Sequence, residues 1–178
     1  MAGRPGPARD WLLCTAWLGL IFLFMYYGRA LDPWFEGRRA VYAQALLGLA
    51  GLGLVVWLAA QVLRLPAHRR VRVGLGLLGC LAGLGLLAWW QPMLIERTHL
   101  MLYGVLGIFT WRLAGRYASG APRLLWAGAA CALAGLADEL AQHFHPQRIF
   151  DLRDVFTNAL SAWLLLAALW LLRPSPGR

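Results

Sequence analysis

Four acidic residues, two histidines and two arginines crowd the stretch from Asp138 to Asn158, DELAQHFHPQRIFDLRDVFTN, between two long apolar runs. Upstream, Glu96, His99 and Tyr103 stand three and four residues apart; so do Glu139, Gln142 and His143 beside Asp138, and Asp151, Asp154 and Asn158. At about 3.6 residues per turn, each set shares one face of a helix. These residue types can do three kinds of chemistry. His99 oriented by Glu96 is a general acid/base arrangement, with Glu139 as a further candidate catalytic group. Glu96, His99, Glu139 and Asp154 are the carboxylate and imidazole ligands that suit a divalent ion. Arg148 is a bidentate donor, either for the Glu139 carboxylate or for an anionic ligand. No nucleophile motif, phosphate loop or recognised metal-ligand spacing accompanies them. Binding is therefore favoured over catalysis, and no cofactor or metal is assigned.

Each residue also has a structural reading. Glu96 near a helix start is favoured by the macrodipole, and Asp151 or Asp154 suits the N-cap of the last helix. His143 and His145 fall at or beyond a helix end, where interfacial loop residues are common. Tyr103 can be a core aromatic whose hydroxyl finds a partner. Glu139 is hardest to explain away, because an unpaired carboxylate inside a membrane is expensive, by about 2.5 to 3.5 kcal/mol on insertion scales.

The elements that must position these groups are membrane spans. Of 178 residues, 60% are hydrophobic and 14% charged, against about 25% charged in soluble domains. Runs of about 18 or more nearly uncharged apolar residues recur, the length that crosses a hydrocarbon core about 30 Å thick. The spacing predicts an all-α polytopic bundle of about six spans, over 11–27, 41–63, 73–90, 94–113, 124–144 and 155–172. Residues 1–10 and 173–178 read as tails around a single transmembrane domain, 11–172. A cleaved signal peptide competes for the first run, since Arg9 precedes it and Gly28-Arg29-Ala30 imitates a cleavage site; the closing Met25-Tyr26-Tyr27 suits an interfacial aromatic belt better. Leu31-Asp32-Pro33-Trp34-Phe35-Glu36-Gly37 reads as a turn. In the third span, Gly79 and Gly83 are spaced for close approach of a neighbouring helix. Cys14, Cys80 and Cys131 each fall inside a span and read as small packing residues.

The net charge of +9 comes from arginine alone, since the chain has no lysine. With no basic face or aromatic platform, it argues for topology and against a nucleic-acid partner. Six spans put both termini on one side. That side carries Arg4, Arg9, Arg64, Arg69, Arg70, Arg72, Arg112, Arg116, Arg123, Arg173 and Arg178; the other has Arg29, Arg38, Arg39, Arg97, Arg148 and Arg153. The excess places both termini in the cytoplasm and the polar residues at the outer face. His99, Glu139 and Asn158 then lie roughly 6 to 8 Å beneath the outer helix ends, at 1.5 Å per residue. The three polar stripes are expected to converge on one outward-facing pocket.

Taken together, Glu96-x-x-His99-x-x-x-Tyr103-x-x-Leu106, Asp138-Glu139-x-x-Gln142-x-x-x-Pro146-x-Arg148 and Asp154-x-x-x-Asn158 resemble the signature of VanZ-like membrane proteins, a family named for a teicoplanin-resistance accessory protein. The resemblance covers about Glu96 to Leu172; the first three spans are generic. One departure is Ser161, where the family usually has glycine three residues after the asparagine. The resemblance implies a multi-pass protein of the bacterial inner membrane with a cell-envelope role, in handling of peptidoglycan precursors or in glycopeptide response. The ligand-binding set it implies is Glu96, His99, Tyr103, Asp138, Glu139, Gln142, Arg148, Asp154 and Asn158, with a lipid-linked or cell-wall ligand as partner besides the bilayer. An enzyme acting on a lipid-linked substrate, with His99 and Glu96 as acid/base, is the alternative, with a divalent-metal variant beside it.

Overall fold

The computed structural model describes residues 6–31, 36–144 and 151–173, and these residues form six α-helices. They are α1 (Pro7–Leu31), α2 (Gly37–Leu63), α3 (Ala67–Trp90), α4 (Leu94–Ala114), α5 (Gly120–His143) and α6 (Leu152–Leu172). No strand occurs among the described residues. Each helix matches an apolar run predicted from the sequence and extends past it at one end or both, except that α5 stops at His143, one residue short of the expected 144; hydropathy marks where the chain crosses hydrocarbon while the backbone ladder continues into the interface. Five helices are long and apolar enough to cross a membrane. The exception, α4, carries Glu96, Arg97, His99 and Arg112 on its 21 residues and spends that polarity on contacts inside the bundle. The chain is a multi-pass membrane protein.

The bundle is built around α4 and α6, which pack on each other and on α5; α3 lies against α6 and α1 against α4. Tyr103, Leu106, Cys131 and Ala162, from α4, α5 and α6, are completely buried and continue into Cys14 and Ile21 of α1. A second cluster joins Leu58 of α2, Leu77 of α3 and Ala168 of α6. Glycine lets helices close where side chains would block them. A Cβ on Gly107 would lie 3.3 Å from the carbonyl oxygen of Ala162, and one on Gly128 would run into the Trp163 ring. On α3 it is Gly76 and Gly83 that receive Leu171 and Leu164 of α6, whereas Gly79 faces open space. The expected Gly79–Gly83 pair is thus replaced by a pair seven residues apart, which falls almost in register after two turns. All three cysteines are free and buried, as packing residues would be. Tyr26, Tyr27, Trp89 and Trp90 are exposed near one end of the bundle and Trp11, Tyr117 and Trp126 near the other, as aromatic belts at two interfaces require.

The arginines at the end carrying the start of α1 do more than mark a side. Arg69 Nη2 donates to the carbonyls of Leu171 (3.2 Å) and Arg173 (2.9 Å), Arg70 Nε to Leu65 (2.9 Å) and Arg123 Nε to Trp111 (2.9 Å). They donate to carbonyls at or just past helix C-termini, where backbone partners run out. Arg112 and Arg116 grip Asp10, at 3.1 and 2.6 Å, and Trp11 Nε1 donates to Tyr117 Oη at 2.9 Å. Of the tail expected over 1–10, residues 1–5 lie outside the described residues, while α1 starts at Pro7 and Asp10 is buried against α4. Low apolar content near Asp10 hid a position held by ion pairs.

Candidate functional site

The opposite end of the bundle, where α3 and α5 finish and α4 and α6 begin, holds the polar residues. Asp138, Glu139, Gln142, Thr157, Asn158 and Ser161 are all at most 3% exposed, burial that polar groups tolerate only with partners. Tyr103 Oη of α4 donates to Asp138 Oδ2 of α5 at 3.1 Å. Glu139 accepts two bonds, from Gln142 Nε2 at 2.9 Å on its own helix and from the backbone N–H of Asp151 at 3.2 Å at the start of α6. Asp151 Oδ1 in turn accepts from the backbone N–H of Arg153 at 2.8 Å and caps α6. Arg153 Nη2 reaches Glu96 Oε1 of α4 at 3.5 Å, and Glu96 Oε2 accepts from the N–H of Met93 at 3.3 Å, closing the first turn of α4. A chain of polar contacts thus ties the ends of α4, α5 and α6 together.

Gly135 sits where the three helices meet, its missing Cβ 3.6 Å from both Tyr103 Cε1 and Asn158 Cβ. Ser161 Oγ folds back onto the carbonyl of Asn158 at 2.9 Å, so its hydroxyl needs no partner on a neighbouring helix. The departure from glycine there leaves close packing intact.

The stripe expected on α4 divides. Glu96 and Tyr103 are seven residues apart, nearly in register, while His99 is rotated by about 60° from Glu96 and about 40° from Tyr103 at 100° per residue. His99 turns toward α1: its ring meets Phe24 edge-on at 5.6 Å, and Nδ1 lies 3.3 Å from the carbonyl of Ile95, a contact that needs a proton on Nδ1. Glu96 is engaged by Met93 and Arg153. Asp154 lies in the first turn of α6, half-buried, with its carbonyl accepting from Thr157 Oγ1 at 3.3 Å. His143 is exposed at the end of α5, beside the Phe144 ring. Arg148, with His145 and Pro146, lies outside the described residues, as do 32–35 of the expected turn and 174–178 of the expected tail. Among the described residues, no three His, Cys, Asp or Glu side chains come together to hold a metal ion. The divalent arrangement of Glu96, His99, Glu139 and Asp154 has no common donor point here.

Gln91 and Thr157 are additions that the sequence did not single out. Gln91 follows α3 and donates through Nε2 to Thr157 Oγ1 of α6 at 3.1 Å, with both residues buried. Arg97 Nε donates to the Gln91 carbonyl at 3.2 Å. Thr157 follows Asp154 by three residues and shares its face, so the α6 stripe carried the signal; Gln91 sat in Trp89-Trp90-Gln91-Pro92, which reads as a belt and a break. The site can hold three helix ends in fixed register through buried carboxylates, and it presents half-buried Glu96, Arg97, His99, Arg153 and Asp154 around them.

No curated protein and no solved structure matches the chain. A family model described as VanZ/LLP1 matches residues 11–173.

Proposed function

Given that the chain belongs to the VanZ/LLP1 family, we propose that it acts in the envelope of a bacterium, in the inner membrane, by binding a lipid-linked or cell-wall ligand at the polar end of α4, α5 and α6. The carrying observation is the burial of Asp138 and Glu139 in a network where Tyr103 donates to Asp138 Oδ2 and where Gln142 and the Asp151 N–H donate to Glu139. In this proposal carboxylates bonded in this way order a pocket, and contact with an anionic ligand is assigned to Arg148, from the sequence, together with half-buried Arg153. In this reading both termini face the cytoplasm and the pocket faces outward, from the arginine asymmetry. Link to glycopeptide response is part of the same proposal. The acid/base alternative needs Glu96 to orient His99, and Glu96 is engaged elsewhere, so binding is the better reading.

Thermal melting of the purified full-length protein, titrated with a polyprenyl phosphate, tests it. A ligand that binds only the folded chain stabilises by about 2.7 kcal/mol at 100 times Kd, so the melting temperature should climb with concentration, and less so for Arg148→Gln. A melting temperature indifferent to the lipid and to soluble cell-wall fragments alike would dismiss the reading. Orientation is checked with an impermeant maleimide, which should label Glu36→Cys from outside intact cells and leave Arg173→Cys unlabelled; the reverse pattern would invert it.

A further inference from the structure

Between α2, α3 and α4 lies a crevice of about 830 Å³. Apart from Gln44 and Arg97, every residue lining it is aliphatic, glycine or methionine, and none is acidic. Helix α2 does not close it, since Leu58 is its only buried residue. Glycines on transmembrane helices ordinarily mark close helix contact, yet a Cβ on Gly48, Gly51 or Gly85 would meet nothing within 4 Å. These glycines widen a space instead of closing one. The crevice follows α4 from Leu94 to Ile108, and its depth below the charged residue, from Arg97 to Ile108, is eleven residues or roughly 16 Å at 1.5 Å per residue. One leaflet of a hydrocarbon core about 30 Å thick is about 15 Å deep. Its charged residue stands at the end where the polar network lies, and Arg97 is joined to that network through the Gln91 carbonyl and so to Thr157 of α6.

We infer that this crevice holds the hydrocarbon chain of a phosphate-bearing lipid, drawn from the leaflet at the polar end, with the headgroup at Arg97. Three features select this occupant. The length below Arg97 fits a single leaflet; apart from Gln44 the walls offer no polar side chain besides Arg97, which suits a hydrocarbon chain better than a peptide backbone with its unsatisfied polar groups; and the sole charge in the lining is a guanidinium, which pairs well with phosphate. The headgroup would lie beside the site proposed above. The inference rests on that reading for the ligand's role, while the crevice itself stands on its own geometry.

The test uses the full-length protein in lipid nanodiscs doped with phosphatidylglycerol carrying a mid-chain diazirine, and a phosphatidylcholine of the same chain for comparison. Irradiation should label crevice positions around Gly51, Leu81 and Ile108 well above outward-facing Leu125 and Leu133 of α5, and more with the phosphatidylglycerol probe. Filling the space with Gly48→Leu and Gly51→Leu together should cut crevice labelling about tenfold while α5 labelling stays constant; the open surroundings of both glycines let this variant fold, as an unchanged melt would verify. Arg97→Gln should erase the preference for the anionic probe, and Arg97→Lys should keep most of it. Labelling equal to that of α5, or unmoved by the two leucines, overturns the chain site. An equal response to both headgroups in the wild type overturns the phosphate assignment. Failure of Arg148→Gln to alter ligand-dependent melting, with crevice labelling intact, would count against the pocket reading and leave the crevice standing.

Discussion

Replacing Glu139 by leucine should detach the start of α6 from α5, and the size of the loss follows from what Glu139 accepts. Two donors converge on it, Gln142 Nε2 at 2.9 Å and the Asp151 N–H at 3.2 Å, and Glu139 is 1% exposed. Leucine offers neither an acceptor. A buried donor left unsatisfied costs about 1 to 3 kcal/mol; Gln142 is buried and the Asp151 N–H only partly so, so the two together cost about 2 to 5 kcal/mol. Removing a carboxylate from a desolvated position returns part of this, leaving a net loss of about 2 to 4 kcal/mol. In chains of 150 to 250 residues each kcal/mol moves the melting temperature by about 2 to 4 °C, so Glu139→Leu should melt roughly 5 to 15 °C below the wild type in the same detergent. Glu139→Gln separates hydrogen bonding from charge. Its remaining oxygen can serve the Asp151 N–H, and rotation of the Gln142 amide presents an oxygen to the new NH2, so it should melt within about 3 °C of the wild type, the span of roughly 1 kcal/mol. A Glu139→Leu protein as stable as the wild type, or a Glu139→Gln protein as damaged as Glu139→Leu, would refute the account of Glu139 as the tie between α5 and α6.

Three further outcomes follow from the same contacts. Tyr103→Phe removes the hydroxyl that reaches Asp138 Oδ2 and should lower stability by about 1.5 to 3 kcal/mol, the range for a hydrogen bond to a carboxylate; combining it with Asp138→Ala should cost less than the two losses added, as a double-mutant cycle of melts would read. Gly128→Ala places a methyl group in the Trp163 ring and should be strongly destabilising, by about 1 to 3 kcal/mol, while Gly135→Ala meets its neighbours at ordinary contact distance and should express and melt near the wild type; equal behaviour of the two would contradict the packing described for α5 and α6. Asp10→Asn breaks the grip of Arg112 and Arg116 on α1 and should lower the melting temperature and hasten cleavage near the N-terminus in limited proteolysis, with an unchanged digestion pattern as the contrary result.

Much of the polar end was legible because helical periodicity and hydrocarbon length are stiff constraints. Asp138, Glu139 and Gln142 had to share a face, and their depth demanded partners, which Tyr103 and the start of α6 supply. Other features depend on which neighbour a face meets, and periodicity does not carry that. His99 shares a spacing with Glu96 and Tyr103, yet it lies to one side of both, by about 60° and 40°, and there it meets Phe24 of α1. Gly79 and Gly83 had the expected spacing, but α6 crosses α3 at Gly76 and Gly83. The arginine excess was read for its side of the membrane, whereas Arg69, Arg70 and Arg123 also donate to helix-end carbonyls, bonds fixed by tertiary contact. The crevice left no trace in composition, since glycines that line a space and glycines that close one look alike in sequence.

The most direct measurement of the central claim is mass spectrometry of what co-purifies with the full-length protein, set against the lipids of the membranes it came from. The account predicts that the wild type is enriched in an anionic lipid-linked species, that Glu139→Gln keeps it, and that Arg148→Gln loses most of it. A wild-type profile identical to that of the surrounding membrane, unchanged by Arg148→Gln, would contradict a ligand pocket at the ends of α4, α5 and α6.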